Sequence, residues 1–187
     1  LLVLTNGEGA RSPVDSRRAE QEAAAEILGA SVMWGDQADG RVSEGHPTVG
    51  IVEQALERTR AGVVYTHARR DTHQDHRAVA RATLAATRGH TRILGYEGPT
   101  SEGFSPDLYL DIDGYVSAKL ALTRAHLSQV LRDGLVDLAA LEALARRRGF
   151  EGRVRNAEAF EIGRLVRDLD RKSTRLNSSH VRLSRMP

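Results

Sequence analysis

The sequence of residues 63–79 changes from apolar to polar and then to a helical pattern, and this order restricts the folds that the chain can adopt. They begin as a short apolar run after Gly62, rich in β-branched side chains, which predicts a buried strand. A polar loop follows, with three histidines and two aspartates between His67 and His76, and an alanine-rich helical pattern starts at Arg77. In open α/β folds such a loop lies at the carboxyl end of the sheet, where ligands bind. The stretch therefore predicts an α/β fold with a polar site at this edge.

The rest of the chain repeats the alternation of apolar runs and helical patterns. Further strands are predicted at 1–5, 30–34, 92–96 and 108–112, and helices at about 17–28, 48–59, 77–88, 114–126 and 137–148. This alternation predicts an α/β sandwich with a mainly parallel sheet. The segment 97–106 contains two glycines and two prolines, and as a loop it is long enough to border a site.

The polar loop contains a pair of histidines at helical spacing. His73 and His76 are three residues apart, so both rings face one side if the loop is already winding into its helix. Neutral imidazole is a common zinc ligand, and a carboxylate such as Asp75 either joins the ligands or orients a ring. One imidazole could bind a metal while the other carries a proton. The alternative is a solvated helix start with Asp75 near the cap, but the preceding strand and the aspartate favour a metal site.

Composition excludes several other chemistries. The chain has no cysteine, which excludes a disulfide framework, a thiolate metal site and a cysteine nucleophile. With 40% hydrophobic and 28% charged residues it has the balance of a soluble protein, and the cytoplasm is the location we expect. Neither a signal peptide nor an apolar run as long as a membrane span is visible in the sequence.

The net positive charge of the chain comes from its last 17 residues. Residues 171–187 contain five Lys/Arg and no acid, whereas residues 1–170 contain 22 Lys/Arg and 25 Asp/Glu. We therefore expect one domain over 1–170, with no basic surface for nucleic acid. The Ser/Arg-rich segment 171–187 has no periodicity, and we interpret it as a disordered or artefactual basic tail.

Five blocks of the sequence resemble one enzyme family. Thr66-His67 followed by Asp71-x-His73-x-Asp75-His76-Arg77 resembles the second signature of the PIG-L/LmbE-like deacetylases, zinc enzymes that remove acetyl groups from N-acetylated amino sugars. The resemblance extends from residue 1 to about residue 166. The other blocks are Leu2 to Glu8, Arg17-x-x-Glu20 with Leu28-Gly29, Lys119 with His126-x-Ser128-Gln129, and Ala157-Glu158-Ala159-Phe160. The resemblance implies a Rossmann-like three-layer sandwich.

The same resemblance implies roles for individual residues. His76 matches a zinc ligand, and His73 matches the residue that protonates the leaving amine and steadies the oxyanion. Asp75 matches the partner that orients His73 and favours its protonated form, while Asp71 is either a supporting carboxylate or a loop cap. Arg17 resembles a substrate-contacting arginine, although a solvated position is the commoner fate of a helical arginine.

One family signature is not found in the sequence. His-Pro-Asp-Asp-Glu, which in the family follows the first strand and supplies two zinc ligands and the catalytic base, has no counterpart here. We therefore expect a chain truncated at its N-terminus, without the first strand of the sheet, poorly stable, with an incomplete zinc site and inactive by itself.

The resemblance thus implies a parent enzyme that removes the acetyl group of an N-acetylglucosamine-type conjugate with zinc-activated water. Two alternatives stay open. One is another metal-dependent hydrolase acting on an amide or a phosphoester, and the other is a non-catalytic sugar- or nucleotide-binding α/β module. The expected partner is a small amino-sugar conjugate, and the sequence does not indicate an oligomeric state. Structural or no functional roles are expected for His46, His67, His90, His126, Glu158 and His180.

Overall fold

The computed structural model describes residues 1–7, 14–90, 92–132 and 136–166. Strands and helices alternate from β1 to β4, over about the first half of the chain, as the sequence predicts. The strands are β1 (Leu2–Thr5), β2 (Met33–Gln37), β3 (Val64–His67), β4 (Arg92–Tyr96), β5 (Leu108–Asp111) and β6 (Ala157–Leu165). The helices are α1 (Val14–Leu28), α2 (Thr48–Thr59), α3 (Gln74–Ala86), α4 (Val116–Ala125), α5 (Leu127–Arg132) and α6 (Leu138–Gly152).

The described strands form two sheets. β1 pairs in parallel with β2, and a second sheet has the order β3-β4-β6-β5. β3 and β4 are parallel, whereas β6 runs antiparallel to both β4 and β5. The α/β architecture is confirmed. The antiparallel end of the second sheet was not predicted, because the segment that forms β6 was recognised only by its family resemblance.

Most boundaries lie within a few residues of the prediction. α2 and β4 have the predicted limits, and Gly29 adopts the left-handed backbone, with φ of 62°, that ends α1. α3 begins three residues before its predicted start, because His73 caps its first turn. The early start places residues 74–76 on the helix itself.

A small apolar core joins the first sheet to the helices beside it. Leu4 of β1, Val42 of the loop between β2 and α2, and Ala78 of α3 are buried together. Leu2, Ile51 and Val79 pack against this cluster. The loop before α2 and the start of α3 are therefore held against β1. None of the helices described is long and apolar enough to cross a membrane.

Candidate active site

Three imidazole rings stack where β3 ends and α3 begins. The rings of His67 and His76 have centroids 4.0 Å apart and an interplanar angle of 8°. The rings of His73 and His76 have centroids 4.4 Å apart and an angle of 21°. The spacing of three residues thus turns His73 and His76 to one side, as predicted, and His67 joins them from the end of the strand.

The buried carboxylate of Asp71 contacts two residues of this stack at the start of α3. Asp71 is 3% exposed, and its Oδ1 accepts a hydrogen bond of 2.8 Å from the backbone N–H of His73. Its Oδ2 accepts one of 3.2 Å from the hydroxyl of Ser101. Burial alone would raise the pKa of Asp71, but hydrogen bonds from Thr100, His73 and His76 outweigh it and lower the pKa below its ordinary value. Asp71 therefore remains an anion within the fold.

This anion fixes the proton of His76. Nδ1 of His76 lies 3.2 Å from Oδ2 of Asp71 and 3.3 Å from the hydroxyl oxygen of Thr100. Since a carboxylate only accepts, this contact is a hydrogen bond when Nδ1 carries the hydrogen, and we assign the Nδ1–H tautomer to His76 on this ground. The Nε2 atom of His76 makes no hydrogen bond within the described ranges and keeps its lone pair. A histidine held by a carboxylate in this way has the usual arrangement of a metal ligand.

His73 caps α3 with its own ring. Its Nδ1 accepts a hydrogen bond of 3.2 Å from the backbone N–H of Asp75. The accepting nitrogen is unprotonated, so the neutral ring carries its hydrogen on Nε2. The ring is half in solvent at the end of the stack, where Nε2–H can serve as a donor to a ligand. Protonation of Nδ1 would break the cap.

The expected contact between the Asp75 carboxylate and the His73 ring is not among the hydrogen bonds of the described residues. Asp75 is buried, and its carboxylate accepts from the backbone N–H groups of Gly40, at 2.7 Å, and Val42, at 3.2 Å. Residues two apart on a helix do not face each other, which explains the difference. Asp75 supports His73 through its backbone N–H, while its side chain fixes the loop before α2.

Asp71 caps its own loop by accepting from the backbone N–H of His73, and it also contacts Nδ1 of His76. Arg77 strengthens the same loop, because its guanidinium donates to the carbonyl oxygens of Asp71, at 2.6 Å, and Thr72, at 2.8 Å. The loop also pairs with the segment after β4 through a bridge between Asp71 and Ser101. The prediction that residues 97–106 border the site is confirmed.

Four residues of the site were missed or underestimated from the sequence: His67, Tyr96, Thr100 and Ser101. The hydroxyl of Tyr96 lies 3.1 Å from Nε2 of His67. Burial, and then the neighbouring His76, lowers the pKa of His67 to about 4. Burial, and then Asp71, raises the pKa of Tyr96 to about 12. The pair is therefore uncharged at neutral pH. The position of His67 at a strand end was the one signal in the sequence.

Arg17 lies in a separate cleft at the end of β1. The cleft has a volume of about 220 Å³, and Arg17 Nη1 lies 3.5 Å from the carbonyl oxygen of Gly7. Nε of Arg17 is buried without a hydrogen-bond partner in the part of the chain described, so this guanidinium retains donor capacity. No contact among the described residues joins Arg17 to the imidazole stack. Its role toward a substrate remains a prediction, and Gly9 of the adjoining turn lies outside the described residues. The cleft is lined by Val3, Thr5, Asn6, Gly7, Arg17, Glu20, Gln21, Trp34 and His126.

The remaining family blocks make structural contacts. His126 lines the Arg17 cleft, and burial lowers its pKa while Glu20 opposes the shift. Glu20 accepts hydrogen bonds from the backbone and hydroxyl of Ser128, which ties α1 to α5. Glu158 forms an ion pair with Lys119. The predicted basic tail, 171–187, lies outside the described residues.

A zinc site is not complete in the described residues. Among them, no group of three or more His, Asp or Glu side chains could hold a metal ion. His76 presents one nitrogen in the correct protonation state, but its neighbours are committed elsewhere, with Asp71 on Nδ1 of His76 and His67 on Tyr96. A three-ligand zinc site needs further ligands from outside these residues.

Comparison with known proteins identifies the family. The family model described as "PIG-L: GlcNAc-PI de-N-acetylase" matches residues 1–87, which include β1 through α3 and therefore all three stacked histidines. YaiS, an uncharacterized deacetylase of Escherichia coli (strain K12), is 32% identical to the chain over 139 residues, which are 68% of this chain and 74% of that protein.

Solved structures share the fold. The conserved protein TT1542 from Thermus thermophilus superposes with a TM-score of 0.77 at 27% identity, covering 90% of this chain and 82% of that one. N,N′-diacetylchitobiose deacetylase from Pyrococcus horikoshii superposes with a TM-score of 0.73 at 19% identity, covering 86% of this chain and 71% of that one. The chain therefore belongs to the PIG-L family of de-N-acetylases, which are hydrolases of amide C–N bonds.

Proposed function

We propose that the residues around the three stacked histidines form part of a site that removes the acetyl group from an N-acetylglucosamine-type sugar conjugate. The observation that carries the proposal is the 3.2 Å contact between Oδ2 of Asp71 and Nδ1 of His76, because a hydrogen on Nδ1 leaves Nε2 of the neutral ring free as a ligand atom. We assign His76 as a zinc ligand on this ground. Zinc bound at this site would activate water for attack on the amide, and His76 is the one ligand that the described residues would supply.

His73 is the residue that we assign to the charge that develops on the substrate. Its Nε2–H is available to donate to the oxyanion of the tetrahedral intermediate. Delivery of a proton to the leaving amine requires the imidazolium form, in which Nδ1 gives up its hydrogen bond from Asp75. Oxyanion stabilisation is therefore the role that this geometry supports better, and amine protonation requires the ring to leave its cap.

Arg17 is assigned to the polar part of the conjugate. A planar guanidinium suits sugar hydroxyls or a phosphate group, and its buried Nε has no protein partner in the described residues. The cleft around it also contains the indole of Trp34, one face of which is covered by the guanidinium of Arg18 at 4.5 Å, so a sugar ring would stack on the other face. Asp75 contributes indirectly, by holding the loop at Gly40 and the cap of His73.

The first experiment measures which ligand binds. Saturation-transfer NMR is recorded with N-acetylglucosamine, glucosamine and glucose 6-phosphate. We expect the strongest transfer to the acetamido methyl group, and a loss of this transfer in His73→Ala. His46→Ala, which changes an exposed histidine in the loop before α2, is the control. Equal transfer to all three ligands would favour a general sugar-binding module, and selective transfer to the phosphate would favour a phosphoester hydrolase.

The second experiment measures the metal ligand. Zinc is added to protein labelled with ¹⁵N-histidine, and the imidazole nitrogens are followed at constant pH. We expect Nε2 of His76 to shift first and His126 to remain unchanged. Because one nitrogen holds zinc weakly, millimolar zinc is required, and acetate release from N-acetylglucosamine should stay low. A zinc response at another histidine, with His76 unaffected, would contradict the assignment.

A further inference from the structure

A buried arginine on α6 connects to the candidate site through one loop. Arg148 is 5% exposed, and it binds Glu97 with two parallel hydrogen bonds, from Nε to Oε2 at 2.9 Å and from Nη2 to Oε1 at 2.7 Å. Its Nη1 donates to Glu151 at 2.6 Å, and its guanidinium carbon lies 5.1 Å from the ring centroid of Phe104. Three different parts of the chain thus meet at this guanidinium.

Two of these parts belong to the loop that contacts Asp71. Glu97 is the first residue of the loop 97–106 that follows β4, and Phe104 lies near the other end of this loop. Arg148 therefore contacts both ends of the loop. Between them the backbone of Thr100 accepts a hydrogen bond of 2.9 Å from Thr72 N–H. Glu102 N–H donates to the carbonyl of Arg70 at 3.1 Å. The loop 97–106 therefore contacts α6 on one side and the loop that contains Asp71 on the other.

The two-point contact between Arg148 and Glu97 is better suited to fixing a position than to adding stability. A buried ion pair contributes little net stability compared with apolar side chains of the same volume, because both charges lose their hydration. A guanidinium that binds a carboxylate at two points fixes direction as well as distance. Arg148 therefore sets where the Glu97 backbone lies, and with it the start of the segment that carries Thr100 and Ser101.

We propose that Arg148 is a positioning residue for the active site: through Glu97 it holds the loop in the conformation in which Thr100 and Ser101 hydrogen-bond Asp71, and thereby fixes the Nδ1–H form of His76. No contact links Arg148 directly to the imidazole stack in the described residues. The proposal rests on the proposed role of His76, but the protonation of that ring can be measured without zinc or substrate.

The test compares Arg148→Met with Arg147→Met. Arg147 is the preceding residue of α6 and also pairs with Glu151, at 3.2 Å, but its contacts in the described residues do not include Glu97. The ¹⁵N shifts of the His76 imidazole report its two tautomers at constant pH. We expect a clear preference for Nδ1–H in the unchanged chain and in Arg147→Met, and a mixture of tautomers in Arg148→Met.

Three further variants separate positioning from stability. Glu97→Gln keeps the shape of its side chain and should give the same tautomer mixture, and the double variant Glu97→Gln/Arg148→Met should add nothing further. Arg148→Lys keeps the charge but loses the fork, so it should recover most of the melting temperature while the mixture remains. If His76 keeps its tautomer in Glu97→Gln and in folded Arg148→Met, the ion pair is structural only and the proposal is wrong. If zinc or sugar binding fails while the tautomer responds as expected, the fault lies in the proposed function instead.

Discussion

Oδ2 of Asp71 lies 3.2 Å from Nδ1 of His76, and the carboxylate is completely buried while the imidazole is partly open. The anion also accepts from the backbone of His73, so one side chain holds both histidines of the helix start. Asp71 thus determines which nitrogen of His76 faces outward with a lone pair. The first prediction tests this relationship.

Replacement of Asp71 by Asn should reverse the tautomer of His76. The amide nitrogen of Asn can donate to Nδ1, which favours a hydrogen on Nε2 and removes the free lone pair. Loss of such a supporting group typically weakens metal binding by about 10- to 100-fold. The measurement is the ¹⁵N shift of His76, with and without zinc. Asp75→Asn is the control, because Asp75 binds the Gly40 loop and should leave His76 unchanged; an unchanged zinc response in Asp71→Asn would contradict the prediction.

Replacement of Asp75 by Ala should release the loop before α2. Its carboxylate accepts two backbone hydrogen bonds, at Gly40 and Val42, and hydrogen bonds to a charged group each contribute about 1.5–3 kcal/mol. We expect a loss of stability of about 3 kcal/mol, the lower limit for two such bonds, and faster hydrogen exchange at these two amides. Glu44→Ala, which removes an exposed ion pair with Arg81, should change stability very little. Protected amides at Gly40 and Val42 in Asp75→Ala would show that other contacts hold the loop.

The sequence predicted those parts of the site that are close together along the chain. The strand before His67, and the common orientation of His73 and His76, follow from periodicity and spacing alone. The role expected for Asp75 came from the family resemblance, and among the described contacts its carboxylate binds Gly40 and Val42 and not the ring of His73. Two residues along a helix correspond to opposite directions, and the Asp75 carboxylate reaches a loop more than thirty residues earlier.

Contacts between distant segments could not be predicted in this way. Thr100 and Ser101 reach Asp71 because β4 lies beside β3, and that pairing is set by the whole sheet. Similarly, the antiparallel position of β6 depends on which strand edges remain free after β4 and β5 are placed. The short alternating segment Ala157-Glu158-Ala159-Phe160 alone does not determine this. Sequence patterns therefore predict helices and strands, whereas the contacts that a loop makes with distant segments depend on the tertiary structure.

Stability should depend on pH through His67. Burial lowers its pKa to about 4 in the folded chain, against 6.5 as the ordinary value, so between these pH values the unfolded chain binds more protons. Stability therefore rises with pH, and it should fall as the pH is lowered from 6.5 toward 4. In His67→Gln this part of the slope should disappear, while His46→Gln, at an exposed site, should keep it. Urea unfolding at a series of pH values measures the slope, and a slope unchanged in His67→Gln would assign the effect to another group.

The last prediction concerns Gly7 and its contact with Arg17. Gly7 has a φ of 69°, and a Cβ there would lie 2.1 Å from Nη1 of Arg17, so Gly7→Ala must displace the guanidinium. Gly29 has a similar φ of 62° but open space around it, which makes Gly29→Ala a control for backbone strain alone. Each variant should lose about 1–2 kcal/mol of stability, which is the cost of placing a side chain on a left-handed backbone. The clash in Gly7→Ala should add little to this loss, because the end of the Arg17 side chain can move aside. Only Gly7→Ala should weaken sugar binding, to the level of Arg17→Met. If Gly7→Ala binds as Gly29→Ala does, Arg17 takes no part in binding, and the cleft at the end of β1 is not a substrate site.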